Sequence, residues 1–325
     1  MRRRLALLLP LLPRRAAAQP ADPLPGPGSA PIRLIVPFAT GGGADITARI
    51  VAPPLADALG RAILVENRPG GRGIPGAEAL ARAAPDGLTL GLSNTAPLGM
   101  APLVDRPAYD PDHDFTHVAL IAETPSVLLV AAGSRLQDMA TWLRAGRSWT
   151  RGLTFGSPMT GSLQHLQGEM LAKASGARLF HVAYRGTAEA LPDLLNGQVD
   201  SLIVPLASVM PAVQGGQARA LAQSGPEGMP GVPSFAALGY PQLTATVWLG
   251  LSGPRGLPPA LVARLNAEVN RVIARPEVAA RLRAAGLAPP ARPLDAAAYR
   301  QLVADFQAAW RPAVQASGMG AKEEP

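Results

Sequence analysis

The sequence predicts an α/β fold of two similar units, each a mainly parallel sheet flanked by helices. Short apolar runs of strand length alternate with helical segments, and that alternation occurs twice along the chain. The chain then closes with amphipathic stretches, apolar at intervals of three and four, which are expected to pack back onto the first unit. At 325 residues, with 48% apolar residues, there is material for two cores. The 34 Gly and 35 Pro call for short elements joined by tight turns.

In the first unit "IRLIVPF" reads as a strand and "ADITARIVAPPLADALG" as a helix that the Pro53-Pro54 pair is expected to break. "AILVENR" is a strand, "IPGAEALARAAP" a helix and "LTLGLS" a third strand. The second unit opens on "HVALIAETPSVLLVAA", read as two strand-like runs, followed by the strand "LTFGS" and the helix "SLQHLQGEMLAKASG". The strand "RLFHVAY", the helix "TAEALPDLLNGQ" and the strand "VDSLIVPL" come next, then "ARALAQS" and, after a loop, "TATVWLGLSGP". Residues 31–125 and 247–325 are expected to form the first lobe and 126–246 the second. Strands near "IAETPSVLL" and "TATVWLGLS" would carry the chain between them and act as a hinge. In open sheets of this kind ligands sit beyond the carboxyl ends of the strands.

Ahead of this body, residues 1–18 read as a signal peptide. Arg2, Arg3 and Arg4 precede an apolar run from Leu5 to Leu12, and Ala16, Ala17 and Ala18 suit a peptidase. The run is shorter than the roughly 20 residues needed to cross a bilayer. Export to the periplasm, with cleavage near Ala18, is the expectation; residues 19–30, "QPADPLPGPGSA", are a Pro/Gly-rich spacer. The formal charge of +7 owes five of its 30 basic residues to the first fifteen positions, and the rest of the chain nearly balances its 23 acidic ones. Its arginines are scattered, with no basic helix face, so nucleic acid is not an expected partner. There is no cysteine, hence no disulfide and no Cys-based metal site or nucleophile. His113, His117 and His181 are spread out, no His/Asp/Glu set has metal-ligand spacing, and neither metal nor cofactor is expected.

Two stretches carry chemistry. In "PFATGGGADI" a strand end, a glycine-rich turn and a helix starting near Ala44 would present free backbone N–H groups and a positive helix end. Glycines let a ligand approach such a backbone closely, so the stretch reads as an anion cradle, although a turn that merely needs positive φ would use the same residues. It is not a nucleotide loop: it lacks the Lys-Ser/Thr of a Walker motif and the third glycine of a dinucleotide fingerprint. "LTFGSPMTGSLQHL" repeats the design, with hydroxyls of Ser157, Thr160 and Ser162 as donors or as simple helix caps.

Taken with "VENRPGGRGIPGAEALARAAPDGLTL", "YDPDHDF", "HVAYRGTAEALPDLLNGQVD", "GVPSFAALGYP" and "VWLGLSGPRGLPPALVARLN", these stretches resemble the Bug family, the substrate-binding proteins of tripartite tricarboxylate transporters, over residues 31–319. The resemblance implies a two-lobed type II periplasmic binding-protein fold that closes on a small carboxylate, an organic acid or amino acid. It implies no enzymatic activity, and a monomer that delivers its ligand to membrane permease subunits. Carried over by position, it places Phe38, Ala39, Gly42, Gly43 and Asp45 at the ligand, with Ser93, Asn94 and Thr95 from the strand end "SNT". From the second lobe it places Ser157, Thr160, Ser162, His165, Tyr184, Gly186 and Asp200 there. The chain departs from the family where Arg72 replaces a usual small residue, which would alter a charged cleft edge, and where Ser234 and Ala237 replace the frequent Thr and Glu.

Asp45 has two readings: a carboxylate that stabilises the first helical turn, or one that meets a ligand ammonium or a water. His165 either donates to the ligand or packs and caps its own helix. Ser157 or Ser162 with His165 supplies residue types of an acyl-transfer triad, but neither serine lies in a G-x-S-x-G elbow. A ligand sensor feeding a membrane signalling partner would look the same in sequence.

Overall fold

The computed structural model describes residues 30–225 and 228–320, so the expected signal peptide and all of the spacer but Ala30 lie outside the described residues. Parallel strands β1 (Ile32–Val36), β2 (Ile63–Asn67) and β3 (Thr89–Asn94) form one half of the sheet, in the order β2-β1-β3. They are connected by α1 (Gly43–Leu59) and α2 (Ile74–Ala81), and a π-helical turn, Thr95–Met100, leads from β3 into α3 (Ala101–Val104). The long strand β4 (Phe115–Ala131) and helix α4 (Met139–Ser148), a segment with no expectation from sequence, lead to β5 (Leu153–Pro158) and α5 (Leu163–Ser175). Then come β6 (Leu179–Tyr184), α6 (Thr187–Leu195), β7 (Ser201–Pro205), α7 (Met210–Gln214) and β8 (Ala218–Gln223). The chain returns along β9 (Thr246–Pro254) and ends in α8 (Pro259–Ile273), α9 (Pro276–Ala284) and α10 (Ala296–Ser317).

The strand order β2-β1-β3-β9-β4-β7-β5-β6, with β8 also on β4, joins two parallel groups through two antiparallel strands. β9 runs antiparallel to both β3 and β4; β7 lies parallel to β5 and antiparallel to β4. β4 is one continuous strand, where two runs were expected. Its partner changes from β9 to β7 and β8 between Pro125, opposite Thr246, and Ser126, opposite Pro205. Separate cores flank the two groups. Ile32, Leu34 and Val36 pack with Ala48, Val51 and Leu55 of α1 and with Leu261 and Leu265 of α8. Leu153 and Phe155 pack with Trp142 and Leu171 in the other half.

Three expectations need correction. α1 runs unbroken through Pro53 and Pro54. A proline inside a helix costs about 3 kcal/mol or more, but Ile50, Val51, Ala52, Leu55 and Leu59 are all buried around the pair, and that packing holds the helix together. The first C-terminal stretch is two helices rather than one, because Pro276 starts α9 as its N1 residue. Finally, α10 serves both halves. Tyr299 and Val303 pack with Ile35 and Leu80, while Trp310 and Val314 pack with Leu163 and Leu166 of α5.

Candidate functional site

Glycine occupies the N-cap of α1, Gly42, and of α6, Gly186, and neither cap receives a side-chain hydrogen bond. The first intrahelical bond of α1 runs from the Ile46 N–H to the Gly42 carbonyl, which leaves the N–H groups of Gly43, Ala44 and Asp45 ahead of it. In α6 the Glu189 and Ala190 N–H groups share the Gly186 carbonyl, leaving Thr187 and Ala188 ahead. α5 is capped by its own residue: the Ser162 Oγ accepts from the His165 N–H at 3.1 Å. All three helix starts open onto one cavity of about 210 Å³ between the two halves of the sheet.

Of the residues expected at the ligand, Phe38, Ala39, Gly42, Gly43, Asn94 and Thr95 line this cavity from the first half, and Ser162 and Gly186 from the second. Asn94 is nearly buried, and its Oδ1 accepts from the Ala96 N–H at 2.9 Å, so the amide's Nδ2 is left as a donor at the cavity. Thr95 Oγ1 is engaged with the Trp248 N–H at 2.8 Å.

The remaining expected residues lie off the lining, and each has a partner that explains its place. Asp45 is 1% exposed. Its Oδ2 accepts from the Gly41 N–H at 3.0 Å and Arg49 Nε at 2.9 Å, and its Oδ1 from Asn67 Nδ2 at 2.9 Å. Burial pushes its carboxyl pKa up, but the bonds from Arg49, Gly41 and Asn67, with the Arg49 charge, outweigh that and hold it below the usual carboxylate value. The carboxylate therefore ties turn, helix and β2 together, and no free oxygen is offered to an ammonium. Ser93 points the other way along β3, to the Tyr299 hydroxyl at 2.8 Å and Ser252 Oγ at 2.9 Å. Asp200 sits at the far end of β5, where its carboxylate takes Arg151 in a bidentate pair at 2.7 Å and the Thr154 N–H at 2.9 Å. The Tyr184 hydroxyl donates to Asp193 at 2.9 Å and so pins α6 to β6. Thr160 is exposed, at the cleft edge.

Ser157 and His165 belong to a buried cluster behind the cavity. The His165 Nδ1 accepts from the Gly161 N–H at 3.0 Å, which fixes the neutral ring with its proton on Nε2. His165 stacks on His181 with centroids 3.7 Å apart, and His181 Nε2 meets Ser157 Oγ at 2.8 Å. Burial pushes both imidazoles down to about 4, with the neighbouring ring adding to the effect on His165. Ser157 is fully buried, and among the described residues no carboxylate bonds to His181. The His165 Nε2 lies 3.6 Å from Glu169 Oε1 one turn along its own helix, and the second expected cradle is largely used up by its own side chains.

Sequence reasoning missed the turn that replaces it. Arg185, Thr187 and Ala188 line the cavity beside Gly186, as do Ser208, Gln164 and Thr124. The signal was present in "HVAYRGTAEAL", a strand, a glycine and a helix with no Ser, Thr, Asp or Asn at the cap. The apolar lining, Met100, Leu163, Val247 and Leu249, comes from three separate elements and had no local signature.

No described helix is long and apolar enough to cross a membrane. The tripartite tricarboxylate transporter family receptor matches residues 47–319. The chain is 32% identical over 308 residues to protein BugT of Bordetella pertussis, covering 93% of each. Its structure is similar to that of MatC from Rhodopseudomonas palustris with bound malate, at 32% identity and a TM-score of 0.79, covering 87% of this chain and 98% of that one. It is similar too to R. palustris Rpa4515 with adipate, at 28% identity and a TM-score of 0.84, covering 89% and 98%. Further solved neighbours are periplasmic binding and transport proteins, so the two-lobed fold is that of type II periplasmic binding proteins. Both family and neighbours are solute-binding receptors rather than enzymes. With helix starts from both halves opening onto one cavity and the family match spanning most of the chain, this protein belongs to the tripartite tricarboxylate transporter receptor family.

Proposed function

We propose that the chain is an exported receptor that closes its two lobes on a small carboxylate and delivers it to the permease subunits of a tripartite transporter. The observation that carries this reading is the pair of side-chain-free helix N-termini, at Gly42 and Gly186, facing one cavity from opposite halves of the sheet. Each offers backbone donors and the positive end of a helix, which together favour an anion. Malate in MatC and adipate in Rpa4515 support a carboxylate as the anion. The lobes are residues 31–125 with 247–325, and 126–246, hinged where β4 changes partners at Pro125–Ser126 and where β9 begins. The receptor acts as a monomer after cleavage near Ala18.

Isothermal titration of the mature protein with malate, adipate and citrate tests the reading. Binding of at least one, with a rise in melting temperature, is expected, since a ligand that binds only the native state stabilises it. No binding by any carboxylate would remove the basis of the proposal. Export is tested separately by N-terminal sequencing of the protein recovered from the periplasm, which should begin near Gln19.

A further inference from the structure

The cavity's charge is of one sign. Among the described residues no Asp or Glu lines it, and Asp45, the acidic residue nearest in sequence to the first cradle, is fully engaged with Gly41, Arg49 and Asn67. Arg185 is its one cationic lining residue, exposed, with no side-chain partner among the described residues. An ammonium group entering here would be desolvated beside helix N-termini and a guanidinium, with no carboxylate on the lining to receive it; Glu189, on the first turn of α6, lies off the lining and accepts from the Arg185 backbone N–H at 3.3 Å.

The floor is apolar. Met100, Leu163, Val247 and Leu249 are each almost wholly buried, and Phe38 and Met159 add to the walls. Several polar side chains that reach the cavity are already committed. The Thr124 Oγ1 accepts from the Ala207 N–H at 3.2 Å, and Gln164 Nε2 donates to Ser126 Oγ at 3.0 Å. The groups left, the Thr187 and Ser208 hydroxyls, Asn94 Nδ2 and Gln164 Oε1, belong to helix starts or lie close to them, and a hydroxyl laid on the apolar floor would lose its hydrogen bonds to water.

We propose, resting on the carboxylate-receptor reading above, that the ligand is an organic acid with an apolar aliphatic or aromatic body and no ammonium group. Its carboxylate sits at the N-termini of α1 and α6 beside Asn94, and its body lies over Val247 and Leu249. Amino acids and hydroxylated tricarboxylates are rejected by what the cavity lacks rather than by a clash.

Calorimetry of the mature protein with hexanoate, benzoate, adipate, citrate and L-glutamate tests this. At least one of the first three should bind about 100-fold more tightly than citrate and glutamate. Val247→Thr, nearly isosteric, should weaken that ligand by about tenfold while the circular dichroism spectrum is unchanged. If glutamate or citrate binds most tightly, or all five bind within tenfold of one another, this inference falls and the receptor reading stands. If none of the five binds, the inference falls, and the reading beneath it falls with it when malate also fails to bind.

Discussion

The Arg72 guanidinium reaches across the cleft and donates to the main-chain carbonyl of Thr160. Arg72 is held for this by Asp105, which accepts from its Nε at 2.6 Å. Its backbone N–H meets the Met159 Sδ at 3.3 Å. Arg72 and Met159 have positive φ, 55° and 75°, and are the two non-glycine residues to do so among the described residues. Two residues of opposite halves, both in the left-handed backbone region, therefore touch at the point where the halves meet. Arg72 bridges the lobes without lining the cavity.

Arg72→Ala should accordingly loosen closure without removing a ligand contact. The expected result is a ligand affinity lower by about three- to tenfold, the worth of one to two partly exposed hydrogen bonds. Small-angle scattering of the unliganded variant should show a larger radius of gyration. An unchanged profile together with unchanged affinity would refute a bridging role.

Gly43 stands where the other flank of the cleft closes. A Cβ placed there would lie 3.2 Å from the Ala207 Cβ and 3.5 Å from Ser208 Oγ. Gly43→Val should both obstruct the cradle and hold the halves apart, and its binding should fall below detection while its spectrum stays native. Retained binding in the folded variant would mean that the anion sits elsewhere.

Asn94→Asp changes one donor into a carboxylate at nearly constant shape. The Ala96 N–H keeps its acceptor, whereas an anionic ligand now faces a like charge in a poorly solvated cavity. A loss of more than about 100-fold in affinity is expected, consistent with losing a charge-assisted bond and gaining repulsion. Titration at matched ionic strength reads it directly.

Asp45 should matter for stability. Asp45→Asn removes the charge of a buried carboxylate on which donors from Gly41, Asn67 and the exposed Arg49 converge. About 1–3 kcal/mol of unfolding free energy should be lost, measured by urea denaturation, with ligand affinity nearly unchanged once the variant is folded.

The buried histidines set a pH dependence. Burial pushes His117, His165 and His181 each down to about 4 from an ordinary value of 6.5. Between those values the unfolded chain binds protons that the folded one does not, so the stability is fully present above about pH 6.5 and is lost progressively as pH falls toward 4. Urea midpoints should decline over that window. His117→Asn, which keeps a polar group beside Ser252 and the Pro111 carbonyl, should flatten the decline.

Much of the architecture was legible because it is written locally. Strand-length apolar runs, the glycine turn before α1 and the amphipathic C-terminal helices all carry their signal within a dozen residues. What could not be read depends on distant partners. α1 survives Pro53-Pro54 because α8 and β1 cover it, and β4 is one strand because β9, β7 and β8 arrive to pair its two ends. The same limit applied to the cavity. Serine hydroxyls in "GSPMTGS" looked available, yet Ser162 caps its own helix and Ser157 meets His181. Gly186, placed at the ligand through the resemblance alone, begins the less obstructed helix end.

The sharing of β4 has a consequence for how the chain comes to be folded. Gly91 of β3 pairs with Ser252 of β9, and Phe115 of β4 with Pro254, so the sheet's first half stays unfinished until the return strand has been made. Contacts of such wide sequence separation form slowly because the intervening loop must first be closed. A nascent polypeptide of this topology has no early, self-sufficient N-terminal domain to lock. Truncation after residue 245 should therefore leave aggregation-prone open strand edges rather than a half-sized soluble fragment.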